Sequence, residues 1–263
     1  MVLTQDELLK EMQSRELEIL QACIEVCQAH NIRYYALGGT LLGAVRHRGF
    51  IPWDDDIDIG IPRKDYQRFI EVMKNIEESV GIHIAPNTVN YNILQVLGSE
   101  KINYNGKYIQ AFIDIFPLDG YPSSGIKKWI HSKRILWNRL LFKLSILSQV
   151  ANVDRGSLEN LIVKASRMLR IEKMLDTKKI SRRIHRLIQS YSFDESSYVG
   201  NVLGRYRERE IVPADYFGKG TNLSFHHLVL RGPEKWDAYL TQIYGEYMKL
   251  PPEQERLAHF EVE

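Results

Sequence analysis

LGGTLLGAVRHRGFIPWDDDIDIGIPRKDY, residues 37–66, decides how the rest of the chain is read. Four aspartates crowd into five of its positions: Asp54, Asp55, Asp56 and Asp58. Carboxylates this crowded repel one another unless a cation sits among them. Ile57, Ile59 and Ile61 alternate with Asp56, Asp58 and Gly60, the mark of a strand with one face in a core. Asp56 and Asp58 then project from the same side, about 7 Å apart along the backbone. If the strand begins early, Asp54 shares that side and Asp55 points away, toward a structural partner such as Arg63 or Arg48. Hard oxygen ligands of this kind suit Mg²⁺ or Mn²⁺. Upstream, Gly38-Gly39-Thr40 sits between the apolar run 34–37 and Leu41-Leu42, which predicts a strand, a glycine turn and a short helix. Such a turn lets backbone N–H groups approach a phosphate at a helix N-terminus. Downstream, Asp114 is the lone charge in AFIDIFPL, residues 111–118. A buried carboxylate is costly unless paired or bound to metal. If their strands are neighbours in one sheet, Asp56, Asp58 and Asp114 make a three-carboxylate site.

Gly-Gly-Thr, then Asp-x-Asp, then a single Asp among apolar residues resembles the nucleotidyltransferase superfamily, with its polymerase-β-like fold. The longer string GGTLLGAVRHRGFIPWDDDIDI, with IDIFPLDG and the late YGEYMKLPP, resembles the LicD family. The resemblance spans roughly residues 15–120 and 210–260. It implies an α+β fold with a mixed α/β sheet, a catalytic core over 1–121 completed by a C-terminal segment, 196–263; the stretch between, 122–195, matches no motif and is expected from its composition to be a basic helical insertion. It also implies transfer of phosphocholine, or a related phospho-alcohol, from CDP-choline or another CDP-alcohol. The acceptor is a sugar hydroxyl of a surface glycan (teichoic acid, lipopolysaccharide or capsule), lipid-linked or not, and CMP is released. The same carboxylates would serve a nucleotidyltransferase that releases pyrophosphate. The direction of cleavage therefore comes from the resemblance alone.

The expected site follows. Asp56, Asp58 and Asp114 are catalytic, and with Asp54 they hold Mg²⁺ or Mn²⁺. Asp114 either bridges metal or accepts the acceptor proton. Gly38, Gly39, Thr40 and Arg46 bind donor phosphate, since arginines beside acidic groups suit a phosphate clamp. His47 is a phosphate ligand or an acid for the leaving group; otherwise these cations simply balance the aspartates. Trp53 either packs or walls a cationic alcohol. Tyr34, Tyr35, Tyr91, Tyr104 and Tyr108 are further candidates for such a cage. Asp119, after Pro117, reads as a turn cap with a minor claim on the site.

The composition, 44% hydrophobic and 26% charged over 263 residues, is that of a soluble globular chain. No apolar run is long enough to span a bilayer, and the charged start has no secretory h-region. The expectation is a cytoplasmic protein, at most peripheral at the inner membrane face. Cys23 and Cys27 lie one turn apart on the apolar stripe of a helix over 4–30, opened by a Thr4/Glu7 capping box, and are expected in the core. A helix from Arg63 to Ile76 is predicted, then strand pieces at 82–84, 91–97 and 107–109, with Lys101 and Lys107 on the surface.

Residues 127–186 hold 16 Lys or Arg against 4 Asp or Glu, interleaved with Trp129, Ile130, Trp137 and Leu140. They predict basic amphipathic helices: a solvated insertion, or a contact with an anionic membrane or polyanionic acceptor. No nucleic-acid-binding motif accompanies them, so no nucleic-acid partner is expected. Short strands are predicted over 196–233, with His226-His227 on one of them in a structural role. A helix over 234–247 then leads into 244–252, which is expected to pack beside the site. A catalytically dead binding protein is the third reading, disfavoured because unneutralised carboxylates would only cost stability.

Overall fold

The structure, a computed structural model, describes residues 4–86, 93–146 and 174–256. Its centre is a seven-stranded sheet in which β1 (Tyr35–Ala36), β2 (Asp58–Pro62), β5 (Lys107–Tyr121), β4 (Leu94–Tyr104) and β3 (Ile82–Pro86) lie side by side in that order. β6 (Tyr198–Gly200) and β7 (Ile211–Pro213) extend it from the far end of β5. β2 and β5 run parallel; the other pairs are antiparallel. The sheet is thus mixed, and its single parallel pair joins the two aspartate-bearing strands.

The alternation of residues 57–61 has the expected consequence. Ile57, Ile59 and Ile61, with Ile113 and Ile115 of β5, are buried. α1 (Gln5–Ala29) packs on β4 and β5, and α3 (Arg63–Val80) on β2, β3 and β5. Leu20, Cys23, Cys27 and Phe69 of these helices meet Ile59, Ile61 and Ile115. Each such aliphatic side chain contributes about 1.5–3 kcal/mol on burial. Thr4 and Glu7 close their capping box, which anchors the start of α1. Both cysteines are free and buried, and burial holds both thiols protonated, Cys27 up to about 12. Lys101 and Lys107 are exposed.

α2 (Gly38–His47) packs on β2 and on β8 (Thr221–Phe225), which pairs with β9 (Leu228–Gly232) in a separate hairpin. α6 (Trp236–Tyr244) follows that hairpin and packs against the 3₁₀ turn Arg207–Glu210. α4 (Gly125–Ser145) and α5 (Thr177–Ile188) pack on each other. They form a second apolar cluster with Tyr121, Val202, Leu203 and Ile211. The part of the basic segment over 147–173 lies outside the described residues, as does Tyr91.

Several expectations are corrected. β2 starts at Asp58, so residues 54–57 approach it as irregular chain. Residues 107–121 form one strand, which places Asp119 on β5 rather than in a turn. Asp119 accepts two N–H groups of Arg63, at 2.8 and 2.6 Å. His226 and His227 occupy the turn between β8 and β9. His226 donates its N–H to the Arg48 carbonyl at 2.7 Å, and its Nε2 accepts from Phe50 N–H at 3.3 Å. His226 therefore pins the loop that leads toward the aspartates.

The Arg63–Asp119 pair is buried, with side-chain exposures of 17% and 2%. Burial raises the Asp119 carboxyl more than Arg63 lowers it, so the pair's value lies in compensating Arg63. Asp119→Ala should destabilise the fold by about 3 kcal/mol, because it strands a buried guanidinium. Urea unfolding checks this, and a loss below about 1 kcal/mol would contradict it.

Candidate active site

A cavity of about 710 Å³ opens at the ends of β2 and β5. Asp54, Asp56, Asp58 and Asp114 all line it, together with Gly38, Gly39, Arg46 and Trp53. The register explains the convergence. Asp58 lies directly opposite Asp114 on the parallel pair, and Asp114 N–H donates to the Ile57 carbonyl at 2.9 Å. Adjacent strands are about 4.8 Å apart, so two carboxylates that are distant in sequence share one mouth. Asp55 is not among the lining residues.

Gly38 and Gly39 are themselves the first turn of α2, not a turn before it. Gly38 has φ +50°, a left-handed value that favours glycine. A Cβ there would stand 2.6 Å from Asp58 Oδ2, and one on Gly39 would collide with Asp54 Oδ2. The glycines thus let the N-terminus of α2 press against the carboxylates. Thr40 departs from its expected role. It is buried and outside the cavity lining, and its Oγ1 accepts the Asp58 N–H at 2.7 Å. It ties α2 to β2 rather than facing a ligand.

Arg46 reaches the cavity from the last turn of α2. It donates to the Tyr247 carbonyl and, through Nε, to His47 Nε2, both at 2.9 Å. His47 stands edge-on to Trp53 and is not among the lining residues. Burial, then Arg46, push its pKa down. As a neutral acceptor it holds Arg46 in place, which is why it does not meet the cavity. Trp53 carries the Arg256 guanidinium over its ring at 5.4 Å. Of the tyrosines proposed for a cage, Tyr34, Tyr35 and Tyr104 are buried in the core and Tyr108 is exposed on β5. The lining aromatics beside Trp53 are instead Phe116, Tyr206, Tyr239, Tyr244 and Tyr247.

The electrostatics are those of an anionic pocket short of compensation. Burial, then Asp56, Asp114 and Asp54, hold the Asp58 carboxyl well above its usual range. Asp54 is pushed up to about 7 by burial and then by Asp56 and Asp55, with Arg46 opposing. Two acids that the sequence reading passed over add to this. Glu16, on the apolar stripe of α1, is 1% exposed, and its Oε2 has no hydrogen-bond partner among the described residues. Burial, then Asp56, Asp55, Asp54 and Asp114, keep it protonated. A charged residue on a buried helical stripe was the available signal. Glu210 lines the cavity, accepts the Tyr206 N–H at 2.7 Å, and is raised by burial to about 7. Nothing in its neighbourhood in the sequence marked it. Cations face these acids: Arg46, Arg205 and Lys249 all line the cavity. Among the described residues no group of three or more His, Cys, Asp or Glu side chains is arranged to hold a metal ion.

Comparison with known proteins places the chain among relatives. Residues 31–148 match the family model described as LicD/FKTN/FKRP, nucleotidyltransferase domain. Over 260 residues the chain is 32% identical to the lipopolysaccharide cholinephosphotransferase LicD of Haemophilus influenzae, covering 95% of each chain. Over 112 residues it is 29% identical to the human ribitol 5-phosphate transferase FKRP, covering 41% of this chain and 21% of that one. A terminal uridylyl transferase 4 from Trypanosoma brucei overlays with TM-score 0.22 at 13% identity, covering 54% of this chain and 45% of that one. That likeness is too slight to carry an argument.

Glu210 offers a pH test. Its carboxyl keeps a proton to about pH 7 when folded but only to 4.5 in the reference state. Its contribution to stability is therefore full below pH 4.5 and is lost as the pH climbs through about 7. Glu210→Gln keeps an acceptor for Tyr206. The variant should match the unaltered protein in stability near pH 4 and exceed it by about 1–3 kcal/mol near pH 8. Urea unfolding across that range reads the difference; a constant offset would contradict the assignment.

Proposed function

The chain belongs to the LicD family, and from that premise we propose that it is an enzyme transferring a phospho-alcohol, phosphocholine or a relative, from a CDP-linked donor to a sugar hydroxyl of a glycan. The observation that carries this reading is the convergence of Asp54, Asp56, Asp58 and Asp114 with the N-terminus of α2 and three cations in one cavity. The relatives contribute the substrate class: one is named for moving cholinephosphate onto lipopolysaccharide, another for moving ribitol 5-phosphate.

In this reading the donor diphosphate lies at Gly38 and Gly39, where unpaired helix N–H groups and the helix dipole favour anions. Arg46, held by His47 and the Tyr247 carbonyl, clamps it from the side. Thr40 serves as a positioning residue through its bond to Asp58 N–H. The donor set fits a divalent metal: hard carboxylate oxygens, crowded and raised by mutual repulsion, would lose that strain beside Mg²⁺ or Mn²⁺. Asp56, Asp58 and Asp114 would hold it, with Asp54 as a further ligand. Because the described side chains alone form no metal-holding group, an ion here would take its remaining oxygens from water and substrate phosphate. Bound there, the cation would offset charge on the attacking and leaving oxygens.

The acceptor oxygen attacks the phosphorus bearing the alcohol, and the bond from that phosphorus to the CMP oxygen breaks. CMP leaves with the electron pair, and Asp114 takes the acceptor proton or serves only as a metal ligand. The aromatic wall of Trp53, Tyr206, Tyr244 and Tyr247 suits a quaternary ammonium group, and the Trp53 ring already faces a guanidinium. This favours choline as the first alcohol to test. A nucleotidyltransferase reading, suggested by the description of the matched family model, differs in its products.

Asp56→Asn and Asp58→Asn should each lower turnover by about a thousand-fold or more while leaving the melting temperature unchanged or raised, since each removes a repelling carboxylate. Mass spectrometry of reactions containing Mg²⁺, a panel of CDP-alcohols and glycan acceptor should find CMP and the phospho-alcohol adduct. Pyrophosphate with a nucleotide adduct would replace this reading with nucleotide transfer. Near-normal turnover in both variants would remove the site.

A further inference from the structure

α4 carries an apolar stripe on the face turned away from the protein. Its inner face, His131, Ile135 and Asn138, is buried. At helical spacing on the other side stand Ile126, Trp129, Ile130, Leu136, Trp137 and Leu140, with exposures of 77, 62, 45, 38, 59 and 42%. Spaced by three, four and seven residues, they fall within one arc of about a third of the helix circumference. Two exposed tryptophans on one stripe are unusual for a solvated surface, where large apolar side chains stand singly. Basic residues surround the stripe. Lys133, Arg134 and Arg183 share a groove with Trp129, Ile130 and Trp137. Over α4 and α5 together there are eleven Lys or Arg and no Asp or Glu.

We propose that the outer face of α4 is a docking surface for an anionic lipid bilayer, on which the protein lies without crossing it. The chemistry selects this occupant. Trp, Ile and Leu side chains enter the boundary between headgroups and acyl chains, while flanking Lys and Arg pair with lipid phosphate, each adding about 1 kcal/mol near an anionic surface. A second copy of the chain fits poorly, because two such faces would set the cations beside the stripe, Lys133, Arg134 and Arg183 among them, against their own like. A soluble polyanion would use the cations and leave the apolar stripe in water. No described helix is long and apolar enough to cross a membrane.

The surface is mechanically tied to the cavity. Ser132 Oγ of α4 donates to Glu208 at 2.8 Å. Glu208 lies in the same 3₁₀ turn as the cavity residue Glu210. Leu203, which also lines the cavity, belongs to the apolar cluster beneath α4 and α5. Docking through α4 would therefore fix the cavity relative to the lipid plane, and on the transferase reading above it would face a lipid-anchored acceptor.

Vesicle flotation of the full chain tests the proposal without any turnover. With phosphatidylcholine vesicles carrying about a third phosphatidylglycerol, binding should exceed that to phosphatidylcholine alone about ten-fold or more. High salt should release the unmodified protein. The double variant W129E/W137E should lose about ten-fold or more in binding with an unchanged melting temperature, since both side chains are exposed. Equal binding to the two vesicle types would overturn the proposal, as would binding that salt leaves intact. The same holds if the double variant binds undiminished, or if the unmodified protein is a dimer by light scattering that the variant dissolves. Activity on a water-soluble acceptor should be the same for both proteins. Loss of turnover with binding intact would fault the transferase reading and leave the docking surface standing.

Discussion

The structure turns on the repulsion among carboxylates that the fold forces together. β2 and β5 pair in parallel with Asp58 opposite Asp114, while residues 54–56 bring two more acids to the same mouth. Burial and mutual charge raise Asp54 and Asp58, so the arrangement costs free energy as it stands. It persists because the reverse face of the same strands is secured by Ile57, Ile59, Ile61, Ile113 and Ile115 in the core. The period of two that seats these isoleucines also aims the aspartates outward. A one-residue slip would exchange the two sets, so the apolar core fixes the site's geometry.

The surrounding elements brace this mouth. α1 delivers Gln13, whose Nε2 donates to the Asp54 carbonyl at 2.8 Å, and sets Glu16 beneath the cluster. Thr40 locks α2 to Asp58 through the backbone, leaving the side chain of Asp58 available to the cavity. The segment after α6 contributes more than packing. Tyr247 presents its carbonyl to Arg46 and its hydroxyl to Asp237, and Glu246, Lys249 and Pro251 join the lining. Residues about 200 positions apart in sequence thus hold one guanidinium at the edge of an acidic pocket.

The central device was legible because its signals are local. The isoleucine–aspartate alternation, the glycine pair and the isolated Asp114 each carry a periodicity or a chemical anomaly readable in a few residues. The helix α1 and its capping box were equally plain. What escaped depends on tertiary contact. Glu210 comes to the cavity only because β6 and β7 add to the far end of β5, and its neighbours Arg207, Glu208 and Arg209 look like any solvated run. Parity misled where regular strand was absent: Asp54 reaches the cavity as irregular chain, not as an early strand residue. Asp119 was read as a turn because Pro117 precedes it, yet β5 continues through the proline. Its partner proved to be Arg63, 56 residues away. The tyrosines of the apolar runs were poor guides to the cavity because aromatics in a strand go to the core at least as readily as to a cleft. Glu16 was visible on its stripe, but a lone acid there has meaning only once the aspartates are seen above it.

The central claim is that the acidic cavity exists to grip a divalent cation, and Mn²⁺ binding measured by electron paramagnetic resonance tests it most directly. The free-ion signal should fall on titration into the protein, fall further when CDP-choline supplies its phosphates, and be restored by excess Mg²⁺. An Asp58→Asn, Asp114→Asn double variant should leave that signal untouched at the same concentrations. Undiminished binding in the double variant, or none in the unaltered protein with donor present, would contradict the account.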